Sequence, residues 1–102
     1  MTKRLELLER AIAKGTQDPF VRYAHAMELR SLGRGDDALT ALLDVRERHP
    51  EYVPSYLMAG QLAIELGRAE EARDWLVRGA EVAARAGDAH ALSEMQRALD
   101  TL

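Results

Sequence analysis

The amino-acid sequence predicts an all-α protein made of antiparallel helical hairpins. Its 102 residues include 17 Ala and 15 Leu, two of the strongest helix formers, and only five aromatic side chains. No alternation of apolar and polar residues continues long enough to indicate a β-strand. Glycine and proline interrupt the chain at regular intervals, and the short breaks between them predict that successive helices pack antiparallel.

The first helix is predicted from about residue 2 to residue 14. Leu5, Leu8 and Ile12 recur at a spacing that places all three side chains on one face of a helix. Gly15 opens the break that ends this helix. The pattern therefore predicts a helix that packs against the rest of the chain through a single apolar stripe.

The second and third helices are separated by a glycine turn. Asp18 followed by Pro19 is typical of an N-cap and a first-turn proline, and Gly33 ends the second helix. Asp36 is predicted to cap the third helix, which ends at His49–Pro50. Each helix is thus bounded by residues with a physical reason to lie at a helix end.

The second half of the chain repeats this punctuation. A fourth helix is predicted from Val53–Pro54 to Gly67, and a fifth from about Arg68–Ala69 to Ala86. Gly87 is placed to adopt the left-handed conformation that often follows a helix. Asp88 then caps a sixth helix that continues to the end of the sequence.

Composition limits the kinds of function. The net charge of −3 and the pI of about 5.6 argue against a surface for nucleic acid or an anionic membrane. No cysteine is present for a disulfide or a thiolate metal site. Charges at Glu6, Glu9 and Arg10 interrupt any apolar core of a signal peptide, so we expect a cytoplasmic protein. Twelve of the 14 basic residues are Arg, which suggests a bacterial source.

No arrangement of residues predicts catalysis. His25, His49 and His90 lack the spacing of a metal-binding motif, so we expect no metal and no cofactor. His25 is expected to be a packed, hydrogen-bonded side chain, and His49 to lie at a helix C-terminus. The acidic pairs Asp36–Asp37 and Glu70–Glu71 fall at helix starts, where carboxylates are stabilised. We therefore expect that the protein is not an enzyme.

The chain matches itself at an offset of 34 residues. Leu32–Arg34 aligns with the identical tripeptide Leu66–Arg68, at the predicted turn between two helices. Small residues align where two helices of a tight hairpin must approach closely, and a large leucine aligns behind them. The aligned pairs are Ala26 with Gly60, Ala38 with Ala72, and Leu42 with Leu76.

These positions resemble the tetratricopeptide repeat (TPR), a 34-residue helical hairpin. The resemblance implies a short right-handed α-solenoid of about six helices in a single domain over residues 1–102. Within it, residues 1–15 form a packing helix, 19–52 and 53–86 form two repeats, and 87–102 form a capping helix. The stack of two repeats is expected to gain stability from the flanking helices.

Some residues depart from the repeat pattern. Arg22 stands where a large apolar residue is usual, although Tyr56 fits at the same position of the second repeat. Val45 and Gly79 stand where alanine is usual. The second repeat has Ala84 in place of its final proline, so its second helix is predicted to continue further.

The resemblance also implies a binding surface. In this family the first helix of each hairpin lines a concave groove. Among the matching positions, which also include Ser31, Pro54 and Glu65, the predicted partner-binding residues are Phe20, Tyr23, Met27, Arg30, Leu57, Gln61 and Ile64. Apolar and aromatic side chains in a shallow groove suit an adaptable contact with a peptide or helix. For Phe20, a core position packed against the first helix is as well supported as a position in the groove. Ala91 and Met95 either extend this surface or belong to a capping helix.

Two hypotheses for the partner follow. In the first, the protein is a scaffold that binds a peptide or helix of another protein in the groove. In the second, the same surface joins copies of this chain into a homo-oligomer. Tyr23 and Met27 replace the lysine and asparagine with which some family members bind the C-terminal carboxylate of chaperones, so that ligand is not expected. The first helices also lack the basic face that RNA binding needs.

Overall fold

The computed structural model describes residues 2–102, where it contains six α-helices and no strand. This confirms the all-α prediction. In the residues described, no helix is both long and apolar enough to cross a membrane. The helices are α1 (Lys3–Ala13), α2 (Pro19–Ser31), α3 (Gly35–Arg48), α4 (Val53–Glu65), α5 (Ala69–Ala86) and α6 (Ala89–Asp100).

Three helices begin with the side-chain caps that their sequences supply. The Thr2 hydroxyl accepts a hydrogen bond from the Leu5 amide at 2.9 Å. The Asp18 carboxylate accepts from the Phe20 amide at 3.0 Å, and Asp88 accepts from the Ala91 amide at 3.0 Å. Each bond satisfies an amide that has no partner within its own helix, which fixes where the helix starts.

The predicted cap of α3 is wrong. The N-cap is Arg34, which makes no capping bond with its side chain, and Asp36 lies inside the first turn. The reason is the tight glycine turn: Gly33 has a φ of 76°, and the helix starts directly after this turn, so its N-cap lies two residues earlier than expected. Asp37 instead accepts a bond from Arg34 Nε at 2.9 Å, next to the positive end of the helix dipole.

The helix boundaries follow the 34-residue offset seen in the sequence. α2 and α4 both span 13 residues, and their first and last residues lie 34 positions apart. α3 and α5 also start 34 positions apart, at Gly35 and Ala69. α5 has 18 residues against 14 for α3, because no proline stands where Pro50 follows α3. The predicted continuation of this helix is confirmed.

Two compact units divide the chain after His49. In the N-terminal unit, α1 and α3 both pack against α2. Leu5 and Leu42 are fully buried there, whereas Leu8 and Ile12 are only half-buried. The predicted stripe of α1 therefore contributes mainly through Leu5. The other core residues of this unit are Ala24, Ala26, Leu29, Ala38, Leu39 and Val45.

In the C-terminal unit, from Pro50 to Leu102, α5 packs against both α4 and α6, and α4 and α6 also contact each other. Two glycines lie in close contact with side chains of neighbouring helices. A Cβ on Gly60 would lie 2.5 Å from Leu76 Cδ2, and a Cβ on Gly79 would lie 2.5 Å from Tyr56 Cβ. The large apolar core residues are Val53, Tyr56, Met58, Leu62, Trp75, Leu76, Val82 and Met95.

Candidate partner-binding surfaces

The α2 patch consists of Phe20, Tyr23, Met27 and Arg30, which lie along one side of α2. Phe20 is 53% exposed, and its ring centroid lies 6.3 Å from that of Tyr23. Tyr23, Met27 and Arg30 are each half-buried. The core alternative for Phe20 is therefore wrong, because half of this side chain remains open to solvent.

Burial and a nearby cation act in opposite directions on the phenol of Tyr23. Partial burial raises the pKa of Tyr23 above its ordinary value, because the charged phenolate loses solvation. The Arg30 guanidinium acts to lower the same pKa, and burial is the larger effect. The phenol is neutral at physiological pH, and it offers an aromatic face together with a hydroxyl group.

The α4 patch consists of Leu57, Gln61 and Ile64, in the C-terminal unit. Eight of the 13 residues of α4 are buried. Leu57 and Ile64 are half-buried and Gln61 is exposed, so these three form a partly open strip on a helix that is mostly buried. Their spacing of four and then three residues places them on one face of the helix.

The last helix packs inward through its methionine. Met95 is fully buried, and its Sδ would lie 2.8 Å from a Cβ on Gly79. Met95 therefore does not extend a binding surface. Ala91 is half-buried on the same helix. The sequence alone did not decide whether Met95 is buried, because the space that Met95 occupies exists only where Gly79 lacks a side chain.

A second feature of the N-terminal unit was not found by sequence reasoning. A cleft of about 500 Å³ lies between α1 and α3, and side chains of α2 line it. Within it, Arg22 Nη1 donates to Asp44 Oδ2 at 2.6 Å. The expected packed histidine is here too, with His25 Nε2 3.3 Å from Glu9 Oε2. The sequence signal was Arg22 at a usually apolar position, but sequence reasoning treated it only as a departure from the repeat.

Titratable side chains gather in no metal-binding arrangement among residues 2–102. His90 contacts Glu94 at 2.7 Å within α6, with its side chain largely exposed. His49 ends α3 as its C-cap residue, at the position expected from the sequence. The chemistry that the described surfaces offer is thus apolar contact, hydrogen bonding and charge pairing.

These helical pairs, recurring every 34 residues, define an all-α helical-repeat protein. The family model for the tetratricopeptide repeat matches residues 29–96. The chain belongs to the tetratricopeptide repeat family. Such domains are protein–protein interaction modules and are generally non-catalytic.

Three solved structures have folds similar to that of this chain. A tetratricopeptide repeat domain protein from Salinibacter ruber is 37% identical over 82% of this chain. Its crystal structure gives a TM-score of 0.76 with 93% of that chain covered, and its solution structure gives 0.78 with 85% covered. A protein from Bordetella parapertussis is 25% identical in sequence to this chain. Its solution structure gives a TM-score of 0.83, with 99% of this chain and 88% of that chain covered. None of the curated proteins matches the chain.

Proposed function

We propose that this protein is a non-catalytic scaffold that binds a peptide or helical segment of a partner protein. The contacts come from the α2 patch and the α4 patch. The observation that carries the proposal is the exposure of Phe20 beside Tyr23, on a first helix of a repeat. Aromatic and methionine side chains that remain open to solvent are typical of protein-binding surfaces.

The α2 patch is suited to an apolar anchor. Phe20 and Tyr23 present two rings side by side, and Met27 supplies a flexible side chain that adapts to different shapes. Arg30 places a cation at the end of the patch, near the Tyr23 phenol. A segment with an apolar side chain and a nearby carboxylate is complementary to this surface in shape and charge.

The α4 patch adds a second strip of contacts. Leu57 and Ile64 offer apolar surface, and the amide of Gln61 both donates and accepts hydrogen bonds. Such a polar group can fix the register of an extended peptide by bonding to its backbone. Homo-oligomerisation through the same side chains is the rival function, with a second copy of the chain as the ligand.

A peptide selection tests the proposal, because it requires no choice of partner in advance. A random peptide library is selected on the immobilised protein, and a synthetic copy of the best peptide is titrated into ¹⁵N-labelled protein. We expect amide shifts at Tyr23, Met27 and Leu57. Shifts confined to other helices would contradict the assignment of these patches. Light scattering over a range of protein concentrations tests the rival function, which requires a mass that rises with concentration.

A further inference from the structure

The cleft in the N-terminal unit contains both apolar and charged groups. Leu29 and Ala41 form apolar wall, with Ile12 and Leu43 at its sides. Leu43 is an exposed large hydrophobic residue. At about 500 Å³, the cleft is within the size range of small-molecule and side-chain pockets. It lies on a different side of α2 from the α2 patch, because Arg22 and Tyr23 are separated by about 100° around the helix.

The second repeat has a large aromatic side chain at the position where the first repeat has an alanine. At the 34-residue offset, Arg22 and Ala41 correspond to Tyr56 and Trp75. In the C-terminal unit, Tyr56 and Trp75 pack edge to face with ring centroids 5.9 Å apart, and Trp75 is only 4% exposed. In the N-terminal unit, a methyl group stands in place of that indole, and the cleft lies beside it.

Charge makes the cleft selective. Four carboxylates line it, from Glu9, Asp37, Asp44 and Glu47, against the guanidinium groups of Arg22 and Arg34. Both arginines are already paired within the unit, Arg22 with Asp44 and Arg34 with Asp37. Glu47 is exposed. Asp44 also pairs with Arg48, and Glu9 contacts His25, so the excess of negative charge lies mainly at Glu47. This excess favours a ligand that carries a cation beside its apolar part.

The guanidinium of Arg22 is held in a fixed position in the cleft. Only 14% of the Arg22 side chain is exposed, and Asp44 holds its guanidinium through Nη1. Its Nε is buried and makes no hydrogen bond among the residues described. A planar guanidinium fixed in this way stacks well on an aromatic face, where it gains cation–π attraction.

We propose that this cleft binds a tryptophan side chain of a partner polypeptide whose flanking residues are basic. The indole takes the place that Trp75 holds in the second repeat, against Ala41 and Arg22. The flanking cations lie at the rim, near Glu47 and Asp37. A second copy of this chain is excluded as the source of the indole, because its one tryptophan is the buried Trp75.

Short peptides test the ligand chemistry directly. Acetyl-Lys-Trp-Lys-amide, acetyl-Lys-Ala-Lys-amide and N-acetyltryptophanamide are titrated separately into ¹⁵N-labelled protein at low salt. We expect the tryptophan peptide to bind in the millimolar range or tighter and to shift the amides of Leu29, Ala41 and Leu43. Equal binding of the alanine peptide would overturn the proposal, and so would the absence of these shifts. Equal binding of N-acetyltryptophanamide would indicate a free aromatic ligand and would also overturn it.

Two variants locate the site. Ala41→Trp fills the cleft with an indole of the protein itself, so we expect the tryptophan peptide to lose its binding while peptides selected for the α2 patch still bind. Glu47→Lys reverses a charge at the exposed rim of the cleft, so we expect the fold to stay intact. The affinity for the tryptophan peptide should fall about fivefold. Glu81→Lys is the matched control at the equivalent exposed position of the second repeat. Equal effects of the Glu47 and Glu81 variants would overturn the assignment of the cleft.

Discussion

Gly79 of α5 lies so close to Tyr56 of α4 that a Cβ on the glycine would be 2.5 Å from the Tyr56 Cβ. On another side, the same Cβ would be 2.8 Å from Met95 Sδ of α6. One missing methyl group thus lets three helices of the C-terminal unit meet. The glycine also provides the space into which Met95 of α6 packs.

Gly79→Ala is expected to destabilise the protein. Alanine is favoured over glycine within a helix by about 1 kcal/mol, but the added Cβ meets the backbone-proximal Cβ of Tyr56, which cannot move without shifting α4. Overpacking of this kind costs about 1–3 kcal/mol and outweighs the helix propensity. Urea unfolding followed by circular dichroism measures the free energy of unfolding.

Gly60→Ala provides the matched control for this prediction. Its new Cβ would meet Leu76 Cδ2 and Cγ, which lie further from the backbone than the Cβ of Tyr56, although Leu76 is itself fully buried. Alanine already stands at the equivalent position of the first repeat, as Ala26. We therefore expect a smaller loss of stability than for Gly79→Ala. A larger loss at Gly60 would show that the contact with Tyr56 is not the limiting one.

Asp44→Ala should destabilise the N-terminal unit. The carboxylate pairs with Arg22 at 2.6 Å, and the Arg22 side chain is only 14% exposed, so its removal leaves a largely buried cation without its partner. Because Asp44 itself is 43% exposed, solvent compensates in part, and we expect a loss of about 1–2 kcal/mol in urea unfolding.

Asp74→Ala is the comparison for the Asp44 variant. Asp74 pairs with Arg78 one helical turn away, and both side chains are more than half exposed. We expect little change in stability from its removal, since exposed pairs within one helix contribute little. If the Asp74 and Asp44 variants unfold at the same urea concentration, the burial of Arg22 does not govern the strength of its pair.

Tyr23 should titrate above the ordinary tyrosine value of 10.0, because burial raises its pKa. Arg30 acts against this shift, so Arg30→Ala should raise the pKa of Tyr23 further. Ring chemical shifts of Tyr23 followed against pH measure both values. A pKa that falls when Arg30 is removed would contradict this account of the α2 patch.

The same shift makes stability depend on pH. Since the pKa of Tyr23 is higher in the folded protein than in the unfolded chain, the folded protein holds its proton more tightly, and stability falls as the pH rises past about 10. Tyr23→Phe removes this contribution, so the variant should lose less stability over that interval than the wild-type protein. Urea unfolding at neutral and alkaline pH gives the comparison. An identical loss in both proteins would contradict it.

The sequence predicted the helices well because their ends are set by local chemistry. Asp18, Gly33 and Gly87 each act within a few residues, so their effects can be inferred without the fold. The cap of α3 was predicted wrongly at Asp36, because the outcome depended on where the glycine turn reversed the chain. Helix starts are harder to predict where no side chain makes the capping bond.

The surfaces were predicted less completely than the helices. The exposure of Phe20 was an open question, since a phenylalanine at that spacing could also face α1. The cleft was missed because it arises from the size of two side chains on different helices, Ala41 against its counterpart Trp75. Comparison of volumes at equivalent repeat positions would have indicated it.

The central claim is that the α2 and α4 patches bind a partner segment. The most direct test is the affinity of a peptide selected on the wild-type protein for the double variant Tyr23→Glu/Met27→Glu, measured by isothermal titration calorimetry. Arg73→Glu, at an exposed position of α5, is the control, and circular dichroism verifies that all variants keep their helices. The account predicts that the double variant binds at least about tenfold more weakly while the control binds as the wild type does. Equal affinities for all three proteins would contradict it.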